Sequence, residues 1–162
     1  MTAWVHGRRV NAPPVLGDLP RCGAFVSLHR HGALRGCIGH VEGDRPLAEL
    51  VGEMAVAAAS QDPRFPPVSE DELDGLTVEV SILSPPVPAR PEAVVPGEHG
   101  VILRRGGRMG VFLPQVATEQ GWDRPTLLAM LCRKAGLPED SWRDPGVRLE
   151  VFRAQVVHED AP

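Results

Sequence analysis

The stretch 34–40, Leu34-Arg35-Gly36-Cys37-Ile38-Gly39-His40, constrains this chain most, because it places a cysteine between two glycines in an apolar run. Glycine inside a strand often marks a place where another backbone or a ligand comes close. Gly36 and Gly39 are therefore predicted to leave a cleared approach to the sulfur and to contact a substrate. Side chains two residues apart on a strand share a face, so Arg35 is predicted to lie beside Cys37 and to favour its thiolate form.

A turn at His31-Gly32 precedes this stretch and predicts a β-hairpin with the apolar run 24–28. A two-residue turn pairs Val26 with Cys37 and places both side chains on one face. In that register both faces of the hairpin are apolar, as in strands that are covered on two sides.

The elements that follow come in groups and not in a regular alternation of strand and helix. The patterns predict a helix from about Asp44 to the proline-rich segment 62–67, a helical turn at 69–73, a strand over 76–82, an irregular crossover over 84–100, a hairpin around Gly106-Gly107, helices over 115–120 and 124–135, and one long strand over 147–157 with a bulge near Val151. Such grouping is typical of an α+β fold. We therefore predict a single α+β domain with a mainly antiparallel sheet and packed helices.

Length, charge and cysteine content exclude several classes of protein. The 162 residues suffice for one domain with a buried core, and the net charge of −4 offers no basic field to nucleic acid or to an anionic membrane. The three cysteines form neither a CxxC pair nor a disulfide framework, which favours a reducing cytoplasm. The chain shows no signal-type start and no apolar run long enough to span a bilayer, so we expect neither secretion nor a membrane span.

Cys37 is either a packing residue or a reactive thiol, because buried cysteine is common and chemically inert. Nucleophilic catalysis also needs a base, usually a histidine. The candidates are His40, His99 and, less favourably, His29. His99 precedes Gly100, so it is equally consistent with a turn that needs an unusual backbone conformation.

A metal site built from Cys37 with His29, His31 or His40 would use ligands that suit zinc. In the predicted hairpin register, however, His29 and His40 lie on the opposite strand face from Cys37. We therefore predict no metal site, and no motif in the chain calls for a cofactor.

Two further residues are candidates for binding a substrate. Arg64 lies in Asp62-Pro63-Arg64-Phe65-Pro66, which is either a turn held by a local ion pair or a rim that places a guanidinium beside an anion. Gln115 follows Pro114 at the start of a predicted helix. There its amide and the unpaired N–H groups of the helix can bind a carboxylate or a phosphate.

Seven blocks of sequence carry a resemblance to a known family. The hexapeptide Leu34-Arg35-Gly36-Cys37-Ile38-Gly39 resembles the signature of the AMMECR-one (AMMECR1) family. Six further blocks resemble the family in the same order, namely 23–28, 62–67, 76–81, 97–100, 113–117 and 132–137. The likeness covers about residues 23 to 158. It divides the chain into an irregular lead-in (1–22), an AMMECR-one-like domain (23–158) and a tail (159–162).

The resemblance implies an α+β domain with a larger and a smaller lobe, a cleft between them, and a functional site at the signature. In prokaryotes such domains are often encoded beside, or fused to, a Memo-like protein and a radical-SAM protein, which are the partners that the resemblance implies. The family usually begins with a helix ahead of its first strand, whereas the first 22 residues here are rich in proline. The resemblance implies no particular reaction.

Two functions fit these residues. The first is a cytoplasmic enzyme, or enzyme subunit, that uses Cys37 as a thiolate nucleophile. Its remaining predicted site comprises Arg35 as the cation, His99 or His40 for proton transfer, and, for substrate binding, Gly36, Gly39, Arg64 and Gln115. The alternative is a non-catalytic binding or adapter module, in which the signature is a tight structural strand and the cleft docks a partner of the same system.

Overall fold

The computed structural model describes residues 21–159. The predicted lead-in, apart from Arg21 and Cys22, lies outside the described residues, as does the end of the tail. The described chain forms two compact units, one comprising the chain up to Pro85 together with the residues from Gln155 onward, and the other comprising Pro86–Ala154. Each unit holds an antiparallel sheet and helical elements, so the predicted α+β class is confirmed.

Strands and helices come in groups along the described chain. In order they are β1 (Ala24–Arg30), β2 (Ala33–His40), α1 (Leu47–Ser60), a 3-10 turn (Glu70–Gly75), β3 (Leu76–Leu83), β4 (Val87–Ala89), a 3-10 turn (Pro91–Ala93), β5 (Gly100–Arg105), β6 (Arg108–Phe112), α2 (Pro114–Gln120), α3 (Arg124–Lys134), a 3-10 turn (Ser141–Arg143), β7 (Arg148–Phe152) and β8 (Ala154–His158). The first sheet has the strand order β2-β1-β3-β8, and the second has β4-β7-β5-β6. Over residues 21–159, no helix is both long and apolar enough to cross a membrane.

Both predicted hairpins form. β1 and β2 are joined by His31-Gly32, whose φ angles are 51° and 80°. Positive φ at both central positions is the geometry of a type I′ turn, which matches the twist of hairpin strands. Gly106-Gly107 joins β5 to β6 in the second sheet.

A β-bulge displaces the predicted register of the first hairpin by one residue. The pairing slips at Arg35, which is the extra residue of β2. Beyond it, Cys37 lies opposite Ser27, so the predicted pairing of Cys37 with Val26 is wrong. Val26 pairs with Ile38 instead. A bulge can absorb one residue between two otherwise regular strands, and the alternation of apolar residues gives no sign of it.

Helix α1 covers one face of the first sheet. Val26 and Leu28 of β1 are buried in one cluster with Ala58 of the helix. Side chains alternate along a strand, so Ser27 and Cys37 lie on the other face of the sheet. The predicted face shared by Cys37 and Val26 is therefore wrong as well. The bulge separates the sulfur from the apolar core of this unit.

The predicted strand over 147–157 is two strands that belong to different sheets. β7 ends at Phe152 in the second sheet, and β8 begins at Ala154 in the first. The chain passes from one sheet to the other at Arg153. The change in apolar parity near Val151, which predicted a bulge, results from this crossing.

The crossover predicted as irregular contains one short strand, β4. It pairs with β7 at the edge of the second sheet. Pro88 lies within it, and an edge strand tolerates proline because one side of the strand needs no hydrogen-bond partner. The proline-rich composition of this segment conceals the strand in the sequence.

Helix α3 packs on the second sheet and has the predicted ends. The Asp123 carboxylate accepts a hydrogen bond from the backbone N–H of Thr126 (3.0 Å), which caps the first turn. Gly136, with φ of 74°, follows the last turn. Leu127 and Leu131 are buried in the core of this unit.

Candidate functional site

Cys37 differs from the other two cysteines in exposure and in its hydrogen bond. It is partly exposed, whereas Cys22 and Cys132 are buried, and burial raises the pKa of both of those thiols. The hydroxyl of Ser27, directly across the hairpin, donates to Cys37 Sγ (3.1 Å). Ser27 itself is buried. The sulfur thus accepts a hydrogen bond from the protein and still reaches solvent.

The segment 62–64 occupies the open edge of β2 at Cys37. β2 is an edge strand, so the outward N–H and C=O groups of Cys37 have no strand partner. The Cys37 N–H donates to Asp62 Oδ2 (2.9 Å), and the Cys37 carbonyl accepts from Arg64 Nη2 (3.5 Å). Asp62 and Arg64 therefore take the place of a neighbouring strand.

Asp62 and Arg64 form a two-pronged ion pair. Arg64 Nε donates to Oδ1 (3.0 Å) and Arg64 Nη2 donates to Oδ2 (2.7 Å) of a carboxylate that is buried. The hydrogen bond from Arg64 holds the pKa of Asp62 well below its usual range. The hydrogen bond to Asp62 raises the pKa of Arg64, although burial opposes this. Arg64 Nη2 also contacts the Cys37 carbonyl. Arg64 is thus the guanidinium that interacts with Cys37.

Arg35 has a different partner from the predicted one. Its Nε and Nη2 donate to Glu72 Oε1 (2.8 Å) and Oε2 (2.9 Å), and its Nη1 donates to the carbonyl of Pro66 (3.0 Å). The bond to Glu72 raises the pKa of Arg35. The prediction that Arg35 lies beside Cys37 assumes that side chains alternate regularly along β2. The bulge at Arg35 interrupts that alternation.

Glu72 organises the segment that follows the ion pair of Asp62 and Arg64. Besides Arg35, it accepts hydrogen bonds from Arg30 Nη1 (3.2 Å) and from the N–H (3.0 Å) and hydroxyl (3.1 Å) of Ser69. The bonds from Arg35 and then Ser69 lower its pKa to about 2. Ser69 and Glu72 form a capping box. The spacing Ser-x-x-Glu is the sequence signal that identifies such a pair.

Phe65 directly follows Arg64 in the chain, and its ring contacts the guanidinium groups of both Arg64 and Arg35. Arg64 Cζ is 5.5 Å and Arg35 Cζ is 5.9 Å from the centre of the Phe65 ring. Contacts at such distances are favourable cation–π interactions. The ring therefore links the segment after α1 to the signature strand.

The two signature glycines face protein atoms. A Cβ on Gly36 would overlap the carbonyl oxygen of Ala58, and a Cβ on Gly39 would overlap the ring of Phe25. The missing side chains let α1 and the ring pack directly against β2. The sequence predicts open space beside these two glycines, but other atoms of the protein occupy it.

The histidines of the first unit lie on different faces. His40 is on the face opposite Cys37, as predicted, and its Nε2 is 3.8 Å from Asp44 Oδ2. His29 shares the face of Ser27 and Cys37, so its predicted position on the opposite face is wrong; the bulge is again the reason. Within the described range, no three His, Cys, Asp or Glu side chains are grouped to hold a metal ion.

His99 and Gln115 belong to the second unit, whereas Cys37 belongs to the first. His99 Nδ1 accepts a hydrogen bond from the N–H of Val95 (3.1 Å), which closes a turn before β5. Gln115 is half-buried in the first turn of α2, after Pro114. Their predicted cooperation with Cys37 stays a prediction.

Comparison with known proteins places the chain in a family. The family model for AMMECR1 matches residues 4–157. The chain belongs to the AMMECR1 family. A protein of Methanothermobacter thermautotrophicus is 48% identical over an alignment of 155 positions, which covers 88% of this chain and 81% of that protein. Protein TK0174 of Thermococcus kodakarensis is 43% identical over an alignment of 175 positions, which covers 98% of this chain and 84% of that protein.

A solved structure shares the fold of this AMMECR1 chain. The crystal structure of the uncharacterized protein PH0010 from Pyrococcus horikoshii superposes with a TM-score of 0.91 at 38% sequence identity. The match covers 99% of this chain and 86% of that chain. The resemblance that the signature and the six further blocks indicate is confirmed.

Proposed function

We propose that this AMMECR1 protein acts through Cys37 as a thiolate nucleophile, with Arg64 as the accompanying cation. One observation carries the proposal. Of the three cysteines, Cys37 is the one that is not buried, and in addition Ser27 donates to its sulfur and Arg64 binds its carbonyl. Hydrogen-bond donors and nearby cations are the groups that stabilise a thiolate.

The reaction is nucleophilic attack at an electrophilic carbon. The thiol gives up its proton, a sulfur–carbon bond forms, and the bond to the leaving group breaks with its electron pair going to that group. The roles of His40 and His99 in proton transfer and of Gln115 in substrate binding stay predictions, because His40 lies on the sheet face opposite Cys37 and the other two belong to the second unit. Arg35 supports the site indirectly, because its hydrogen bonds anchor the segment that contains Arg64.

Alkylation of the folded protein by iodoacetamide tests the proposal, with peptide mass spectrometry reporting each cysteine. We expect Cys37 to react while Cys22 and Cys132 stay protected until the protein is denatured. Ser27→Ala should slow the reaction at Cys37 about fivefold, because one hydrogen bond of about 1 kcal/mol is lost. A Cys37 that reacts only after unfolding would show that the thiol is a packing residue.

A rescue assay tests the function in the host. In a strain that lacks this gene, Cys37→Ala and Cys37→Ser should both fail to restore the wild-type product. Arg45→Gln is the matched control, because Arg45 is exposed in the same unit and forms ion pairs with Asp44 and Glu53. Full rescue by Cys37→Ala would exclude the nucleophile.

A second candidate is a non-catalytic adapter that binds a Memo-like or a radical-SAM partner. The observation that favours it is the structural use of the signature, since Gly36 packs on Ala58 and Arg35 is engaged by Glu72. Co-purification with each partner, for wild type and Cys37→Ala, separates the two functions. A stoichiometric complex that survives the substitution supports the adapter, and the absence of any complex counts against it.

A further inference from the structure

Arg64 combines a fixed orientation with an exposed end. Asp62 binds its Nε and Nη2, and the carbonyl of Cys37 binds Nη2 as well. The side chain is nevertheless 55% exposed, although the carboxylate that holds it is only 2% exposed. Nη1 has no hydrogen-bond partner among residues 21–159. Nη1 thus keeps two N–H groups that no described residue binds, on a side chain that is largely exposed.

The guanidinium of Arg64 contacts the backbone of Cys37, which is the residue that carries the sulfur. Nη2 is 3.5 Å from the carbonyl oxygen of Cys37, and the same residue's sulfur accepts the hydrogen bond from Ser27. Arg64 is paired one to one with Asp62, and the neighbouring Arg30 and Arg35 share Glu72. Three guanidinium groups, from Arg30, Arg35 and Arg64, are paired with two carboxylates, from Asp62 and Glu72.

An arginine of this kind suits an anionic ligand. The planar guanidinium matches carboxylate and phosphate oxygens, and its hydrogen bonds to them are charge-assisted. Because Asp62 already fixes the side chain, binding a ligand costs little further rotamer entropy. A buried carboxylate behind an exposed guanidinium orients the free N–H groups away from the protein.

We infer that the substrate of Cys37 carries an anionic group, a carboxylate or a phosphate, that binds Nη1 of Arg64 next to the carbon under attack. This inference rests on the proposed nucleophilic function and adds the class of substrate to it. Arg64 then serves both the thiolate and the substrate, whereas Asp62 is a positioning residue that holds Arg64.

Two alkylating agents of nearly equal size test the inference. Iodoacetate carries a carboxylate and iodoacetamide a neutral amide; each transfers its carbon to sulfur as iodide leaves. The quantity measured is the rate at Cys37 with iodoacetate divided by the rate with iodoacetamide. This ratio is then divided by the same ratio for 2-mercaptoethanol. We expect this normalised ratio to be about 10 for the wild type, the effect of one hydrogen bond between charged groups. It should fall to about 1 in Arg64→Gln and stay unchanged in Arg45→Gln.

Arg64→Gln leaves Asp62 as a buried, unpaired carboxylate, which can prevent folding. The double variant Asp62→Asn/Arg64→Gln removes that charge and gives the same expected ratio. Competition by inorganic phosphate or by acetate, each added during iodoacetate labelling, then shows which anion the site prefers.

The outcomes separate the two proposals. A wild-type ratio of about 1, with Cys37 still labelled by iodoacetamide in the folded state, overturns the anionic substrate and leaves the nucleophile intact. A raised ratio that persists in the double variant also overturns it, because the anion would then be recognised without Arg64. A folded protein whose Cys37 reacts with neither agent overturns both.

Discussion

Replacing Glu72 with glutamine tests the ion-pair network that anchors the signature strand. The side chains of Glu72 and Arg35 are only 11% and 13% exposed, and they share two hydrogen bonds. Glutamine keeps the shape of the side chain but removes its charge, which leaves the guanidinium desolvated without a counter-ion. Removing one partner of a buried ion pair costs about 3–5 kcal/mol.

The pKa of Glu72 gives a second measure of the same interaction. It falls from an ordinary value of 4.5 to about 2 in the folded protein, which corresponds to about 3 kcal/mol of stability at neutral pH. Because the folded-state pKa is the lower one, this contribution is complete above about pH 4.5 and is lost as the pH falls towards about 2. The difference between wild type and Glu72→Gln should therefore shrink over that window.

Urea unfolding followed by far-ultraviolet circular dichroism measures the difference. Two of the three tryptophans, Trp122 and Trp142, lie in the second unit, so tryptophan fluorescence would not report on the first unit alone. Glu49→Gln, an exposed substitution on α1, is the control and should leave the stability unchanged within about 0.5 kcal/mol. Equal stability of wild type and Glu72→Gln at neutral pH, or a difference that stays constant with pH, would refute the reasoning. The lowered pKa of Asp62 also makes stability depend on pH. This contribution is the same in wild type and Glu72→Gln, so it cancels in the difference between them.

Three further substitutions test the backbone of the first unit by thermal and urea unfolding. Gly36→Ala should lower the free energy of unfolding by about 1–3 kcal/mol, because the new Cβ would overlap the carbonyl of Ala58; a neutral effect would mean that α1 moves freely away from β2. Gly52→Ala is its counterpart inside α1, where no atom lies within 4 Å of the new Cβ, and it should raise stability by about 0.5–1 kcal/mol. His31→Asn should raise stability by up to about 1 kcal/mol, because asparagine tolerates the φ of 51° in a type I′ turn before Gly32; destabilisation would contradict the assigned turn.

Local patterns predict most of the elements in this chain. His31-Gly32 and Gly106-Gly107 mark the two hairpin turns, helical spacing marks α1 and α3, and Asp123 marks a helix start. Each of these signals depends on a few neighbouring residues. The sheet to which a strand belongs depends on distant residues, which is why β7 and β8 are merged in the prediction. The strand β4 is missed because its only pairing is with β7, about 60 residues further along the chain.

The candidate site is harder to predict than the fold because its residues meet through register and long-range hydrogen bonds. Cys37 and Arg64 are identifiable from residue type alone, and the ion pair of Arg64 with Asp62 is one of the two predicted alternatives. The contact of Ser27 with Cys37 requires the bulge, which no pattern reveals. Glu72 lies 37 residues from Arg35, and only its capping-box spacing to Ser69 marks it.

The bulge at Arg35 determines which groups Arg35 and Arg64 bind. With regular pairing, the Arg35 guanidinium would lie beside the sulfur and Val26 would face it across the hairpin. With the bulge, Arg35 binds Glu72, while Ser27 faces the sulfur and Arg64 approaches from the edge of the sheet.

Each guanidinium is held by its own carboxylate, but only Arg64 is largely exposed. Substitutions in the signature strand, other than at Cys37, should therefore change mainly the free energy of unfolding. Substitution of Arg64 together with Asp62, which leaves no unpaired buried carboxylate, should change mainly the reactivity of the thiol. In the proposed function, the positive charge beside Cys37 thus comes from the segment after α1, and the signature supplies the sulfur and the packing that holds it in place.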